Sequence, residues 1–303
     1  MSETLDLFLL CAGKGSRLQP LTDSCPKPLL PLLGHSMADR ALDACQSLPI
    51  ASRVVNAHHL APEIQAFAHE RGFQHVQVEP VLLDSGGALA KAHNDHKLAA
   101  THLLTHNGDL LHDIDLVPLW ETHLREGNDI TLVLVDRPAV NTVRLRAGDF
   151  VGVVGHAKCP DDLTDSVART FSGIAFYRTA VLAGWSSRAW SIKDLWHKAS
   201  QEGLRVRCVD APSDCLWEDC GTPADLARAT FALLERQGLE RWIHPEAVVS
   251  SGAELGRHVV VEAHAHVETG SKLSDCVLFP HARVGVGQSL VSTLRNPSGD
   301  APC

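Results

Sequence analysis

Residues 9–34 read "LLCAGKGSRLQPLTDSCPKPLLPLLG": an apolar run, a turn of small residues, an arginine, and a lysine set between two prolines. The apolar run is short enough for a buried strand. A strand ending at Cys11 and continuing as Ala12, Gly13, Lys14, Gly15 and Ser16 presents successive backbone amides where no bulky side chain keeps a phosphate away. Arg17 adds a planar fork matched to phosphate oxygens, and Lys27, between Pro26 and Pro28, adds a point positive charge. Two familiar phosphate loops are excluded. The G-x-x-x-x-G-K-[ST] pattern fails because the lysine precedes the second glycine, and the dinucleotide fingerprint fails because Leu18 stands where its third glycine belongs. A G-x-G taken alone would fit a structural turn equally well, and Cys11 is expected simply to be packed.

Composition bounds the rest. At 303 residues and 45% hydrophobic, the chain can bury one large core or two smaller ones. Its net charge of −9 argues against nucleic-acid or anionic-membrane partners, so an anionic ligand must meet a local positive cluster. Lys14, Arg17 and Lys27 against Asp23 form one. The apolar run 7–12 is too short to span a bilayer and lacks the basic flank and cleavage site of a leader, so a cytoplasmic protein is expected. Nine cysteines without any C-x-x-C pair suit reduced thiols, and eighteen histidines show no ligand spacing.

Short apolar runs alternate with helical patterns through the first part of the chain, as in a mostly parallel α/β sheet. Strands are expected at 6–11, 53–57, 75–79, 102–105, 129–135 and 171–177, with helices at 36–47 and 62–71, the latter stopped by Gly72. The last helix is the best marked, with Thr222 as N-cap, Pro223 at its first position, Asp225 in its first turn and Gly238 as its stop. Beyond Gly238 the period changes. Ile243, Val249, Leu255, Val261, Val267, Leu273 and Phe279 recur every six residues, and a one-residue slip near Asp275 restarts the spacing at Leu278, Val284 and Leu290. Such hexads suit a parallel β-helix, with an irregular β-rich tail as the alternative. The end, "RNPSGDAPC", has the composition of disordered chain.

The strings "GKGSRLQPLT" and "PKPLLPL" resemble the fingerprint of sugar-1-phosphate nucleotidyltransferases, G-x-G-[TS]-R-[LMF]-x-P-L-T followed by P-K-P. The likeness continues in order through "LLDSGGALAKA" at 82–92, "NGDLLHDIDL" at 107–116, "TFSGIAFYR" at 170–178 and "WEDCGTPADLARA" at 217–229. It implies an α/β fold, a Rossmann-like mostly parallel mixed sheet flanked by helices, followed by a short left-handed parallel β-helix. The implied organisation is a catalytic domain over 1–238, hexapeptide coils over 239–295 and a disordered tail over 296–303. Because the motifs end before Gly238, a chain stopped near Gln237 is expected to keep the chemistry.

The implied reaction is attack of a sugar-1-phosphate on the α-phosphorus of a nucleoside triphosphate, in the cytoplasm. The resemblance assigns Arg17 and Lys27 to the transferring phosphates, Ala12, Gly13, Lys14, Gly15 and Ser16 to the triphosphate, and Gly86 and Gly87 to close approach by the nucleoside. Residues 171–173, with Gly173, should line the sugar. Asp109 and Asp219, two carboxylates from distant turns, suit a Mg²⁺ that keeps water and phosphate oxygens as its other ligands, although each alone fits a turn or capping aspartate. Relatives often supply a Glu-Lys-Pro before the Gly-Ile strand, where this chain has "GHAKCP". Lys158 or Lys193 could hold the sugar phosphate, or each could be a solvated surface lysine. His264, His266 and His281, in the hexads, are read as surface residues.

"EPVLLDSGGAL" most resembles N-acetylmuramate-1-phosphate uridylyltransferases, whereas mannose-1-phosphate guanylyltransferases carry the β-helix; UTP is favoured, GTP is the alternative. Glu79 could accept from guanine if it faced the base, or could only end a strand. A non-catalytic sugar-nucleotide-binding subunit is a further alternative, against which Arg17, Lys27, Asp109 and Asp219 are all retained. A homo-oligomer through the β-helix is a further expectation.

Overall fold

A computed structural model describes residues 3–303. The chain divides into two compact units, the first comprising the residues up to Gly13 with Ala41–Gly108 and His112–Trp217, the second Lys14–Arg40, Asp109–Leu111 and Glu218–Cys303.

The first unit is built on a nine-stranded sheet. In spatial order its strands are His75–Val78, Ile50–Ala57, Leu5–Leu10, His102–Asn107, Val167–Arg178, Ile130–Val135, Val206–Asp210, Asp149–Val153 and Val143–Arg146. The first four run parallel, and Val167–Arg178 enters antiparallel to both neighbours, so the sheet is mixed. Leu5–Leu10 lies inside this sheet and is buried along nearly its whole length, which is why it reads as a continuous apolar run. Each expected strand is present within a few residues of its expected ends. The helices at 36–47 and 62–71 form as Met37–Cys45 and Ala61–Glu70, and Gly72 takes φ 68° as a stop.

In the second unit, helix Pro223–Arg236 carries the expected cap. Thr222 Oγ1 accepts from the Asp225 amide while the Asp225 carboxylate accepts from the Thr222 amide, and Gly238 sits at φ 69°. The strands after it stack in parallel. Arg241 lies opposite Val259, eighteen residues on; Val259 lies opposite Cys276, seventeen on, and Cys276 opposite Thr293, again seventeen. The change in offset falls between Leu273 and Cys276, at the expected slip. Val261, Val267, Leu273, Leu278, Val284 and Leu290 fill the interior of the coils. Two hexad positions do otherwise: Ile243 is exposed, and Phe279 is buried outside this interior, because the slip hands its place to Leu278. A second six-residue series, Ala253, Val259, Ala265, Ser271, Cys276 and Ala282, with the same slip, escaped the sequence reading.

Two expectations need correction. The tail over 296–303 is ordered: Gly299–Pro302 pairs antiparallel with Ser289–Asn296. Asn296 Oδ1 accepts from the amides of Ser298 and Gly299, so the polar "NPSG" is a turn, and Ala301 beyond it is buried. The compact units also ignore the boundary at 238/239, because 14–40 and 109–111 belong with the coils.

Candidate active site

The site is built from turns at strand ends. After Leu5–Leu10 the Cys11 amide donates to Asn56 Oδ1, with Cys11 buried as expected, and the chain then opens into Ala12 and Gly13. A side chain on Gly13 would meet nothing within 4 Å, so its backbone faces open space. Gly15 turns at φ 62°, and the Leu18 amide returns to its carbonyl to make the 3₁₀ turn Ser16–Leu18. Thr22 Oγ1 also donates to the Gly15 carbonyl at 2.9 Å. A Cβ at Gly15 would lie 3.0 Å from Thr22 Cγ2 and 3.1 Å from Lys27 Cβ, so the loop folds directly onto the lysine stem. Lys14, Ser16 and Arg17 are left exposed.

Lys27 opens the next 3₁₀ turn, Lys27–Leu29, after Pro26 at its N-cap. Only 7% exposed, it donates from Nζ to Asp109 Oδ2 at 2.5 Å and lies 3.7 Å from Asp219 Oδ1. The two aspartates arrive from distant segments because Leu110–His112 and Trp217–Asp219 form a two-stranded ribbon, across which the Cys220 amide reaches the Asp109 carbonyl at 3.4 Å. The Asp219 amide–turn segment continues into Gly221, against which the Arg17 guanidinium rests: a Cβ on Gly221 would come within 3.0 Å of Nη2. Burial, and then the Asp109 charge, raise the Asp219 carboxyl above the ordinary aspartate value, with Lys27 and Arg17 opposing. Four of the residues expected to act on phosphate and metal, Arg17, Lys27, Asp109 and Asp219, thus form one constellation of two cations and two carboxylates. Among the described residues no cluster of three His, Cys, Asp or Glu side chains suits a metal; the two aspartates are hard oxygen donors that leave a cation's other positions to water or phosphate.

A histidine pair missed by the sequence reading closes the turn that carries Asp109. His106 Nδ1 bonds the Asn107 carbonyl and His112 Nδ1 accepts from the Ile114 amide, so the 2.7 Å contact between their Nε2 atoms runs from His112 as donor to His106 as acceptor. Burial, with His106 nearby, lowers His112 to about 3, which keeps it neutral. The spacing H-x₅-H across a strand–turn–strand was the only available signal.

Other expected residues behave differently. Glu79 is 2% exposed and its carboxylate accepts from Asn56 Nδ2 at 2.8 Å, from the Leu83 amide at 3.0 Å and from Gln77 Nε2 at 3.4 Å. The base-facing expectation is corrected: Glu79 follows the strand end at Val78 and ties down the turn after it. Gly86 and Gly87 lie in the first turn of helix Asp84–Asn94, and their amides donate to the Trp190 carbonyl. A Cβ on Gly86 would lie 2.2 Å from the Trp190 ring and one on Gly87 2.1 Å from the Arg188 carbonyl. The close approach expected of a nucleoside is made there by the chain's own segment. Gly173 takes φ 88° where the register of Val167–Arg178 shifts against its neighbour, so it forms a bulge. Lys158 is exposed, 3.8 Å from Asp194 Oδ1, and Lys193 is exposed in the first turn of helix Ile192–Gln201. His264 stacks on His281 at 5.0 Å between ring centroids.

A family model described as nucleotidyl transferase matches residues 8–143. A mannose-1-phosphate guanylyltransferase of Mycobacterium tuberculosis is 28% identical over 300 residues, covering 93% of this chain and 82% of that protein. An N-acetylmuramate alpha-1-phosphate uridylyltransferase of Neisseria meningitidis is 29% identical over 229 residues, covering 73% of this chain and 95% of that protein. A Bacillus anthracis crystal structure assigned as a glucose-1-phosphate thymidylyltransferase, in complex with sucrose, shares the fold with a TM-score of 0.63 at 19% identity, covering 76% of this chain and 94% of that one.

Proposed function

The chain belongs to the sugar-1-phosphate nucleotidyltransferase family, and from that premise we propose how its residues divide the reaction and which donor it takes. The carrying observation is Lys27 held between Asp109 and Asp219 beneath the small-residue loop. A sugar-1-phosphate oxygen attacks the α-phosphorus of the triphosphate, the bond to the bridging oxygen of the β-phosphate breaks, and pyrophosphate leaves. No general base is needed, since a phosphate monoester with a second pKa of about 6 is already largely dianionic at neutral pH. What remains is alignment and charge neutralisation. Lys27 neutralises the α-phosphoryl oxygens, Arg17 takes the β- and γ-phosphates with its fork, and the 12–16 amides cradle the chain of phosphates.

Asp109 and Asp219 would hold a Mg²⁺, which when bound supplies charge neutralisation at the phosphate oxygens. The fit rests on the convergence of two hard carboxylate donors on a single cationic point. Gly173 and one of Lys158 and Lys193 serve the sugar phosphate. The parallel coils, with six-residue sides and an eighteen-residue turn, support a left-handed β-helix that could join copies of the chain.

UTP is the preferred donor on the motif likeness at 79–89. A GTP preference is the second reading, favoured by the guanylyltransferase match running over 93% of the chain, coils included. Pyrophosphate release with each triphosphate and a panel of sugar phosphates, with products identified by mass spectrometry, decides the matter. A higher kcat/KM with GTP overturns the UTP assignment. Nucleotide-sugar binding with no product from any pair overturns catalysis in favour of a binding subunit.

A further inference from the structure

The coils touch the segment that carries Lys27 at three places. The hairpin Pro31–Leu32 and His35–Ser36 turns through Leu33 at φ 53° and Gly34 at φ 80°, the first of them a left-handed backbone that a leucine does not adopt for free. Glu262, 1% exposed, accepts from the Gly34 amide at 3.1 Å through Oε2 and 3.3 Å through Oε1. The Trp242 ring fills the space at Gly34, where a Cβ would come within 3.1 Å. At the other end, Asn296 Nδ2 donates to the Leu21 carbonyl at 3.2 Å and the Pro20 carbonyl at 3.4 Å, while its Oδ1 closes the turn to Gly299.

These contacts follow a pattern set by the register. Ile243, Val261, Leu278 and Arg295 lie opposite one another on successive coils, so the residues that follow them, His244, Glu262, Phe279 and Asn296, occupy one position on four coils. Two of the four, Glu262 and Asn296, hydrogen-bond the 20–34 segment, and His244 Cδ2 lies 3.6 Å from the Cβ position of Gly34. Lys27 lies six residues after Leu21 and six before Leu33, midway between the two anchors. A segment fixed at both ends and stiffened by Pro26 and Pro28 gives its lysine little freedom.

We infer that this column of the C-terminal coils is a positioning element of the transfer site, with Glu262 and Asn296 as positioning residues that hold Lys27 in register with Asp109 and Asp219. The inference rests on the assignment of Lys27 to phosphoryl transfer, and it reverses the expectation that a chain stopped near Gln237 keeps the chemistry. The coils are then part of the machinery without touching substrate.

The test uses the full chain with Glu262→Ala, Asn296→Ala, the double variant and Glu262→Gln. Displacing a catalytic group by about 1 Å can cost 10²-fold in rate, so kcat should fall on the order of 10-fold in each Ala variant and further in the double, with KM for the sugar phosphate within about twofold. Glu262→Gln, which keeps one acceptor oxygen, should recover most of the loss. A role confined to stability would lower the unfolding midpoint and leave kcat of the folded protein unchanged, and that result overturns the inference. Hydrogen exchange at the Gly34 amide provides a readout free of activity: it should accelerate in Glu262→Ala, and unchanged protection there overturns the inference even if the wild-type chain transfers nothing. Should Glu262→Ala be insoluble, Asn296→Ala decides, since wild-type kcat in that folded variant refutes the inference.

Discussion

The glycine-bearing stretches at 12–15 and 86–87 differ in what fills the space that their missing side chains leave. At Gly13 that space is open, and at Gly15 the turn folds onto Thr22 and the stem of Lys27, leaving Lys14 and Arg17 exposed. At Gly86 and Gly87 the space is taken by the Trp190 ring and the Arg188 carbonyl. Glycines in a motif state that something approaches the backbone closely; they do not state whether it is a ligand or the chain itself. Glu79 teaches the same lesson for a carboxylate, since its acceptors are satisfied from within by Asn56, Gln77 and Leu83.

The sharpest way to break this contrast is Lys27→Ala. If the open stretch is where phosphate is met, turnover should drop by on the order of 10²-fold or more, as for loss of an electrostatic contact worth about 3 kcal/mol at a transition state. Near-normal steady-state turnover in the folded variant would leave the 12–27 segment without a catalytic role. Asp109→Asn and Asp219→Asn should each lower activity on the order of 10-fold or more, with little rescue by excess Mg²⁺; a magnesium titration identical to wild type would remove the metal assignment.

The closed stretch predicts a different kind of damage. Gly86→Ala forces a methyl group into the Trp190 ring, so overpacking of about 1–3 kcal/mol should appear as a lower unfolding midpoint. Gly13→Ala, facing open space, should change stability by less than about 0.5 kcal/mol while raising KM for the triphosphate. Equal stability losses at both glycines, measured by denaturant titration, would erase the distinction between them.

The smallest effect concerns pH. Burial raises Glu262 to about 7, opposed by the Gly34 and Leu33 amides and by Arg40. Its folded value lies above that of the unfolded chain, so the stability it contributes is present in full below the ordinary glutamate range and is lost as pH rises through about 7. Glu262→Gln should therefore flatten the fall of the unfolding midpoint between about pH 5 and 8, and parallel curves for the two proteins would show that the carboxyl does not titrate there.

Much of both units was legible because their signals are local. The apolar run at 5–10, the Thr222–Asp225 cap and the φ > 0 stops at Gly72 and Gly238 each depend on neighbours within a few residues. The six-residue period of the coils is likewise local, and even the slip near Asp275 is visible as a broken count. The tail was misread because composition speaks to the average and not to the turn: "NPSG" is as polar as disordered chain, yet Asn296 uses that polarity to close a hairpin. His106 and His112 carried no recognisable ligand spacing because they ligate each other.

The amino-acid order by itself determined which residues carry the chemistry proposed for phosphate, since a small-residue turn, an arginine fork and a lysine between prolines are chemical statements needing no partner. Tertiary structure alone decided which of them meet. Lys27 and Asp109 are 82 residues apart and Glu262 and Gly34 are 228 apart, separations at which no periodicity or propensity carries information. The physical reason is that strand and turn preferences are paid out over a few bonds, whereas the meeting of two distant side chains depends on the register of every ladder between them. A one-residue change of that register, of the kind seen between Leu273 and Cys276, exchanges Phe279 for Leu278 in the coil interior and sets Glu262 and Asn296 in the column that grips the Lys27 segment.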